Sequence, residues 1–219
     1  MRRLPLLILP LLLAGCGFLP GFLRPHTPAK NPDPNHTHAD FAVWIEDQQV
    51  NFARPEFMSG SSKDEHGEEH EHAHKHPYLH LHDGNGHVIH RHKPGLTFVD
   101  FLSSNLRLLM ADDGTTVCLY TDSSEHPFSR CESGNLRLFI NGEELFYGGD
   151  RIEAIIGYVF QDLDHLLLTD ATDSQELEKE LKTMTDDACL YSQTCPWRGP
   201  PPTENCIADP TVPCTAPLE

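Results

Sequence analysis

The stretch that decides the fold is Tyr78–His92, YLHLHDGNGHVIHRH. Two short segments that alternate between apolar and polar residues, Tyr78–His82 and Val88–His92, flank the turn sequence Asp83–Gly86 (DGNG). Turn-forming Asp, Gly and Asn between two alternating segments are typical of a β-hairpin. The sequence therefore predicts two antiparallel strands at this point.

The apolar residues of this hairpin predict its register. Cross-strand partners in a hairpin have a constant sum of residue numbers, and pairing Leu81 with Ile89 places both on one face together with Leu79. A slip by one residue would expose these side chains to water. The same register pairs His80 with His90 and collects four histidines on the opposite face: His80, His82, His90 and His92.

These four histidines are the predicted metal ligands, because residues two apart in a strand point to the same side and neutral imidazole is a good ligand for transition metals. The alternative is a solvent-exposed polar face of a half-buried hairpin. His36 and His38 either complete the site or simply begin the first strand. Asp83 and His87, at the turn, could support the ligands or substitute for one.

A second group of histidines lies in the acidic stretch Asp64–His76 (DEHGEEHEHAHKH). We expect residues 60–77 to form a flexible loop that binds metal weakly at many positions, much like the His-rich loops of zinc- and nickel-handling proteins. The alternative is a solvated charged loop. The auxiliary ligands in this stretch are His66, His70, His72, His74 and His76.

The overall composition favours cation binding. The chain has 15 histidines and a net charge of −17. This negative charge excludes a nucleic-acid partner. The net charge would change to −2 if every histidine were charged. Imidazole ligands suit Zn²⁺, which we take as the default, with Cu²⁺ and Ni²⁺ as alternatives.

The N-terminus is typical of an export signal. Arg2 and Arg3 precede the apolar run Leu4–Leu13, which is too short to span a bilayer. The following Leu-Ala-Gly-Cys16 resembles the lipobox of bacterial lipoproteins, which implies cleavage after residue 15 and lipidation of Cys16. Residues 16–35 would then form a Pro-rich linker, and loss of the two arginines would change the net charge to −19.

Export would also place the six other cysteines in an oxidising compartment. Fifteen pairings are possible, and short loops favour Cys118–Cys131, Cys189–Cys195 and Cys206–Cys214. Residues 185–219 read as a Cys- and Pro-rich tail that disulfides would stabilise.

Between linker and tail, residues 36–184 should form a His-rich α+β domain. Predicted strands outnumber helices, which favours a small mixed or antiparallel sheet with one or two helices and with the β-grasp arrangement as one candidate. A helix is predicted over Thr97–Leu102, with Thr97 as its N-cap and Asp100 three residues later. His126 and His165 are expected to be structural.

Three segments, HTHADF from His36, HLHDGNGHVIHRH from His80 and DLDHLLL from Asp162, resemble an uncharacterised family of exported bacterial proteins. The resemblance implies export and metal binding, and it implies no particular activity. The first hypothesis is a membrane-anchored extracytoplasmic lipoprotein, on the periplasmic face or cell surface, that captures, buffers or delivers divalent metal, with a protein partner for delivery. The alternatives are a metalloenzyme, with Asp83 or Glu56 as general base, and a pH-sensing interaction lipoprotein. The sequence favours a binding protein because it contains no GxSxG motif and no nucleophile arrangement.

Overall fold

A computed structural model describes residues 27–33, 35–63, 69–72, 76, 78–81, 83–105, 107–110, 116–120, 129–133, 136–146 and 151–202. Only the backbone is described for residues 60–63, 69–72, 107–110, 116–120 and 129–133.

The described residues form twelve strands and four helices, together with 3₁₀ turns at Pro55–Phe57 and Pro196–Arg198. The strands are β1 (Thr37–Ile45), β2 (Gln48–Gln49), β3 (Gly60–Lys63), β4 (Glu69–His72), β5 (Leu79–His80), β6 (Val88–Arg91), β7 (Arg107–Met110), β8 (Thr116–Tyr120), β9 (Ser129–Ser133), β10 (Arg137–Ile140), β11 (Glu143–Glu144) and β12 (His165–Thr169). The helices are α1 (Phe98–Asn105), α2 (Arg151–Gly157), α3 (Ser174–Leu181) and α4 (Ala188–Tyr191).

The main sheet is mixed and has the strand order β11-β10-β12-β1-β6-β5, with β2 paired to β1. Its two central strands, β1 and β12, are parallel, whereas β6 and β10 are antiparallel to their central neighbours. The order β10-β12-β1-β6, with α1 between the two antiparallel pairs in the chain, is the β-grasp arrangement. The predicted α+β class with a mixed sheet is therefore confirmed.

One face of this sheet carries the main hydrophobic core. The odd-numbered residues of β1 from Ala39 to Ile45 point to it, and Phe98 and Phe101 of α1 are fully buried against them. Helix α1 begins as predicted, because the Thr97 hydroxyl accepts a hydrogen bond from Asp100 N while Asp100 Oδ2 accepts one from Thr97 N. Leu79, Leu81 and Ile89 belong to this core, as the hairpin register requires.

The opposite face is divided along β1 into an apolar half and a histidine half. Ala42 and Trp44 form a small cluster with Phe139 and Leu167, and the apolar residues of α3 cover it. Earlier in the same strand, positions 36, 38 and 40 share that face because side chains alternate along a strand. Residues 185–195, which the sequence places in the tail, lie over this histidine half.

Several parts of the fold were not predicted from the sequence. Strands β3 and β4 form an antiparallel pair within the stretch expected to be a loop, and the alternating order of residues 69–72 (EHEH) is compatible with a strand. Helices α2 and α4 were also missed, so the described residues contain four helices where one or two were expected. No helix among the described residues is long and apolar enough to cross a membrane.

Candidate metal centre

Three adjacent strands bring the predicted ligands together. In the β5–β6 pair His80 lies opposite His90, which confirms the predicted register. On the other side of β6, His90 lies opposite His38 of β1. His90 is therefore the centre of a row of three histidines that crosses the sheet, with one histidine from each strand.

His36 and His92 extend this row into a cluster, which we call the five-histidine cluster: His36, His38, His80, His90 and His92. The β1–β6 register continues to place His36 opposite His92, and their ring centroids are 4.0 Å apart. The ring centroids of His38 and His90 are 4.8 Å apart, and those of His80 and His92 are 4.7 Å apart. Every ring of the cluster therefore contacts another ring of the cluster.

The nitrogen positions suit a metal ion. The Nε2 atoms of His80 and His92 lie 3.1 Å apart, so one ring donates a hydrogen bond to the other where no ion lies between them. Two imidazole nitrogens bound to one tetrahedral zinc ion would lie about 3.3 Å apart, since each Zn–N bond is about 2.0–2.1 Å. The potential ligand atoms of His36, His38 and His90 all lie within 4.8 Å of one another, so this group could hold a metal ion after a small contraction.

The cluster is buried on the histidine face of the sheet. His38, His80, His90 and His92 are each at most 2% exposed, and only His36, at the rim, is partly exposed. This burial argues against the alternative of a solvent-exposed polar face. Five imidazoles this close together would repel one another if they were all protonated, whereas neutral imidazoles are the form that binds a cation.

The protein orients one ring of the cluster through hydrogen bonds. His38 Nδ1 lies 2.7 Å from Ser192 Oγ, and Ser192 Oγ donates a hydrogen bond of 2.5 Å to Asp162 Oδ1. The same carboxylate oxygen accepts a hydrogen bond of 3.0 Å from the backbone N of His38. Asp162 therefore fixes both the backbone and, through Ser192, the ring of His38.

Helix α4 and its flanking residues cover the cluster. The Tyr191 ring meets His90 edge-on at 4.7 Å, and the Tyr191 hydroxyl accepts a hydrogen bond of 2.9 Å from Asn85 Nδ2 in the hairpin turn. The predicted disulfide Cys189–Cys195 is present and closes the chain around Tyr191 and Ser192. We call residues 185–195 the covering segment.

The covering segment is attached to the sheet by the buried carboxylate of Asp40. Its Oδ1 accepts hydrogen bonds from Thr185 Oγ1 at 2.5 Å and from Asp187 N at 2.9 Å, and its Oδ2 accepts one from Ala188 N at 2.9 Å. A carboxylate at the first backbone N–H groups of a helix is a stabilising arrangement. Asp40 therefore acts as an anchor for α4.

His165 was expected to be structural, and it lies beside this anchor. Asp40, His165 and Asp186 form a second group whose ligand atoms lie within 4.8 Å of one another, so this group too could hold a metal ion. The residues of this second group are less suited to hold a metal ion than those of the five-histidine cluster. Asp40 already accepts three hydrogen bonds, and the Asp186 side chain is 74% exposed.

The auxiliary residues that are described lie outside the cluster. His87 Nε2 pairs with Asp187 Oδ2 at 3.0 Å. Burial raises the pKa of the Asp187 carboxyl, but hydrogen bonds from Arg198 and His87 outweigh this effect, so the pKa lies below its usual value. His76 Nδ1 accepts a hydrogen bond from Tyr78 N, and burial lowers the pKa of its ring. Asp83 is exposed in the hairpin turn.

Several predicted sites fall outside the described residues. These are His66, His74, His82, Cys16, His126 and the pair Cys206–Cys214, and the side chains of His70 and His72 in β4. The backbone register places Cys118 of β8 opposite Cys131 of β9, and their side chains are likewise not described.

The sequence did not indicate four residues that contact the cluster or its cover: Ser192, Tyr191, Asp162 and Asp40. Ser192 and Tyr191 lie in a stretch without periodicity, about a hundred residues after the hairpin in the chain. The one available signal was Cys189–Cys195, which predicts an ordered loop there. Comparison of the chain with protein-family models, with curated proteins and with solved structures finds no match.

Proposed function

We propose that this protein binds a divalent transition metal ion, with Zn²⁺ preferred, through the five-histidine cluster. The observation that carries the proposal is the convergence of five imidazoles in or beside three strands, with ligand atoms of His36, His38 and His90 all within 4.8 Å of one another and four of the five rings buried. An all-imidazole ligand set suits Zn²⁺, Cu²⁺ or Ni²⁺ and not Mg²⁺ or Ca²⁺, which prefer oxygen ligands.

The burial of the cluster supports a role in holding metal over a role in catalysis. A catalytic metal keeps one coordination position open to substrate, and here the Tyr191 ring and Ser192 lie against the ligands. Glu56, one suggested general base, is in the 3₁₀ turn Pro55–Phe57, and its Oε1 lies 3.9 Å from Arg54 Nη1. His36 is the one partly exposed histidine of the cluster.

Capture and delivery form the wider part of the proposal. The acidic, His-rich stretch 64–76 would collect cations at low affinity, and the cluster would hold one tightly for buffering or for transfer to a protein partner. The net charge of −17 supports this role, because it raises the local concentration of cations. The Leu-Ala-Gly-Cys16 sequence supports attachment to a membrane outside the cytoplasm.

Metal analysis of the chain, purified without a His-tag and without added metal, tests the binding proposal. We expect about one equivalent of tightly held transition metal in the wild type. His80→Ala together with His90→Ala should remove it, whereas His165→Ala, in the neighbouring group, should retain it. Retention of the metal by the double variant would refute the assignment.

The membrane proposal has a separate test. In a bacterial host, the wild-type chain should partition into the detergent phase and gain the mass of a lipid at Cys16, and Cys16→Ser should do neither. Equal partitioning of the two proteins would rule out lipidation, and it would leave the metal proposal standing.

A further inference from the structure

Ser192 is a buried hydroxyl between a charged carboxylate and a ring of the five-histidine cluster. It is 1% exposed, its Oγ lies 2.7 Å from His38 Nδ1, and it donates a hydrogen bond of 2.5 Å to Asp162 Oδ1. It comes from the covering segment, whereas Asp162 precedes β12 and His38 belongs to β1. Three distant parts of the chain therefore meet at this hydroxyl.

The number of hydrogens fixes the direction of each hydrogen bond. A serine hydroxyl has one hydrogen to donate, and here it donates that hydrogen to Asp162 Oδ1, because a carboxylate oxygen accepts. The Ser192 oxygen must then accept a hydrogen bond from His38. The proton of the neutral His38 ring is therefore on Nδ1, and its lone pair is on Nε2, which is buried.

This tautomer is the one that the metal site needs. Metal-bound histidines usually donate their second N–H to a carboxylate or another oxygen, which fixes the ring and makes the ligand nitrogen more basic. His38 is one of the three histidines whose ligand atoms lie within 4.8 Å of one another. The opposite tautomer would direct an N–H at the ion and could not bind it.

We infer that Ser192 is a positioning residue of the metal site, which together with Asp162 holds His38 in the Nδ1-protonated tautomer with Nε2 as the ligand atom. This inference rests on the proposed metal-binding function. The covering segment then influences the affinity for the metal ion through Ser192. The affinity then depends on how residues 189–195 are held, although none of them binds the ion.

Two measurements on the full chain test the inference. The first is ¹⁵N NMR of the histidine rings in the metal-free protein, which distinguishes a protonated Nδ1 from a protonated Nε2. The wild type should show Nδ1–H for His38, and Ser192→Ala should lose this preference. A wild-type His38 with its proton on Nε2 would overturn the inference whether or not the protein binds metal.

The second measurement is the Kd for Zn²⁺, determined by competition with a chromogenic chelator. Ser192→Ala should weaken binding about 10- to 100-fold, the usual effect of losing such a partner, and Ser192→Thr should restore most of it because it keeps the hydroxyl. Thr194→Ala is the matched control, since Thr194 is a buried hydroxyl in the same disulfide loop that donates to Cys189 O.

The pattern of results separates the explanations. Equal Kd values for wild type and Ser192→Ala would overturn the inference, as would equal losses in Ser192→Ala and Thr194→Ala, which would indicate a general loosening of the loop. Absence of tight Zn²⁺ binding in the wild type would instead refute the proposed function, and the NMR result would still decide the tautomer.

Discussion

At the scale of single residues, Asp40 links the histidine half of the sheet to the covering segment. Its carboxylate accepts three hydrogen bonds from the start of α4 and is fully buried. We predict that Asp40→Ala lowers the free energy of unfolding by about 2–3 kcal/mol, because one buried and two part-buried donors lose this acceptor. Chemical denaturation measures this. A loss below about 0.5 kcal/mol would contradict the anchoring role.

Glu180 gives a residue-scale prediction about pH. It is fully buried on α3, and burial raises the pKa of its carboxyl, assisted by the nearby carboxylates of Glu176, Asp170 and Asp47 and opposed by the Thr169 hydroxyl. Because the folded pKa is above the unfolded one, stability is present at low pH and decreases as the pH rises through the folded pKa.

Glu180→Gln should therefore be more stable than the wild type at pH 7.5, and the difference should shrink towards pH 4.5. Urea unfolding at both pH values measures it. Glu178→Gln is the control, since Glu178 is exposed on the same helix and pairs with Lys182. A Glu180→Gln variant less stable than the wild type at pH 7.5 would show that the charged carboxylate is stabilising.

At the scale of elements, the hairpin could be predicted and the cover could not. Leu79, Leu81 and Ile89 indicate the β5–β6 register, because only that register buries all three. The β1–β6 pairing places His38 opposite His90, and it joins strands about 50 residues apart, which no local pattern predicts. Helix α4 has four residues and no periodicity, and its position depends on Asp40 and the disulfide.

The Cys189–Cys195 disulfide should stabilise the covering segment. Closing a loop this short contributes about 2 kcal/mol to stability. We predict that Cys189→Ser with Cys195→Ser lowers the free energy of unfolding by about this amount and weakens Zn²⁺ binding, because Tyr191 and Ser192 lose their fixed positions. Reduction of the wild type by a dithiol should have the same effect. Unchanged Zn²⁺ affinity in the double variant would contradict the link between cover and site.

At the scale of the whole molecule, the two faces of the main sheet have different roles. The core face, with α1 and Phe41, supplies stability, and the opposite face carries α3 at one end of β1 and the histidines at the other. The composition predicted metal binding, and the pairs of histidines two residues apart predicted that the hairpin carries the metal site. The addition of His36 and His38 to the hairpin histidines required the β-grasp arrangement, which places β1 beside β6.

The two predicted kinds of metal site, weak sites in residues 64–76 and one tight site in the five-histidine cluster, lie in different parts of the chain. Deletion of residues 64–76 should remove weak sites and leave the tight one, because none of the five histidines of the cluster lies in that stretch. Equilibrium dialysis with Zn²⁺ counts both kinds. Loss of the tight site in the deletion variant would indicate that the acidic stretch supplies essential ligands.

The most direct test of the central claim is the Kd for Zn²⁺ of the wild type and of His90→Ala, with His165→Ala as the control. His90 is the centre of the row of three, so its loss should abolish the tight site, with Kd raised at least about 100-fold, while the far-ultraviolet circular dichroism remains that of the wild type. The His165→Ala variant should bind like the wild type. Tight binding that survives His90→Ala in a folded protein would contradict the account.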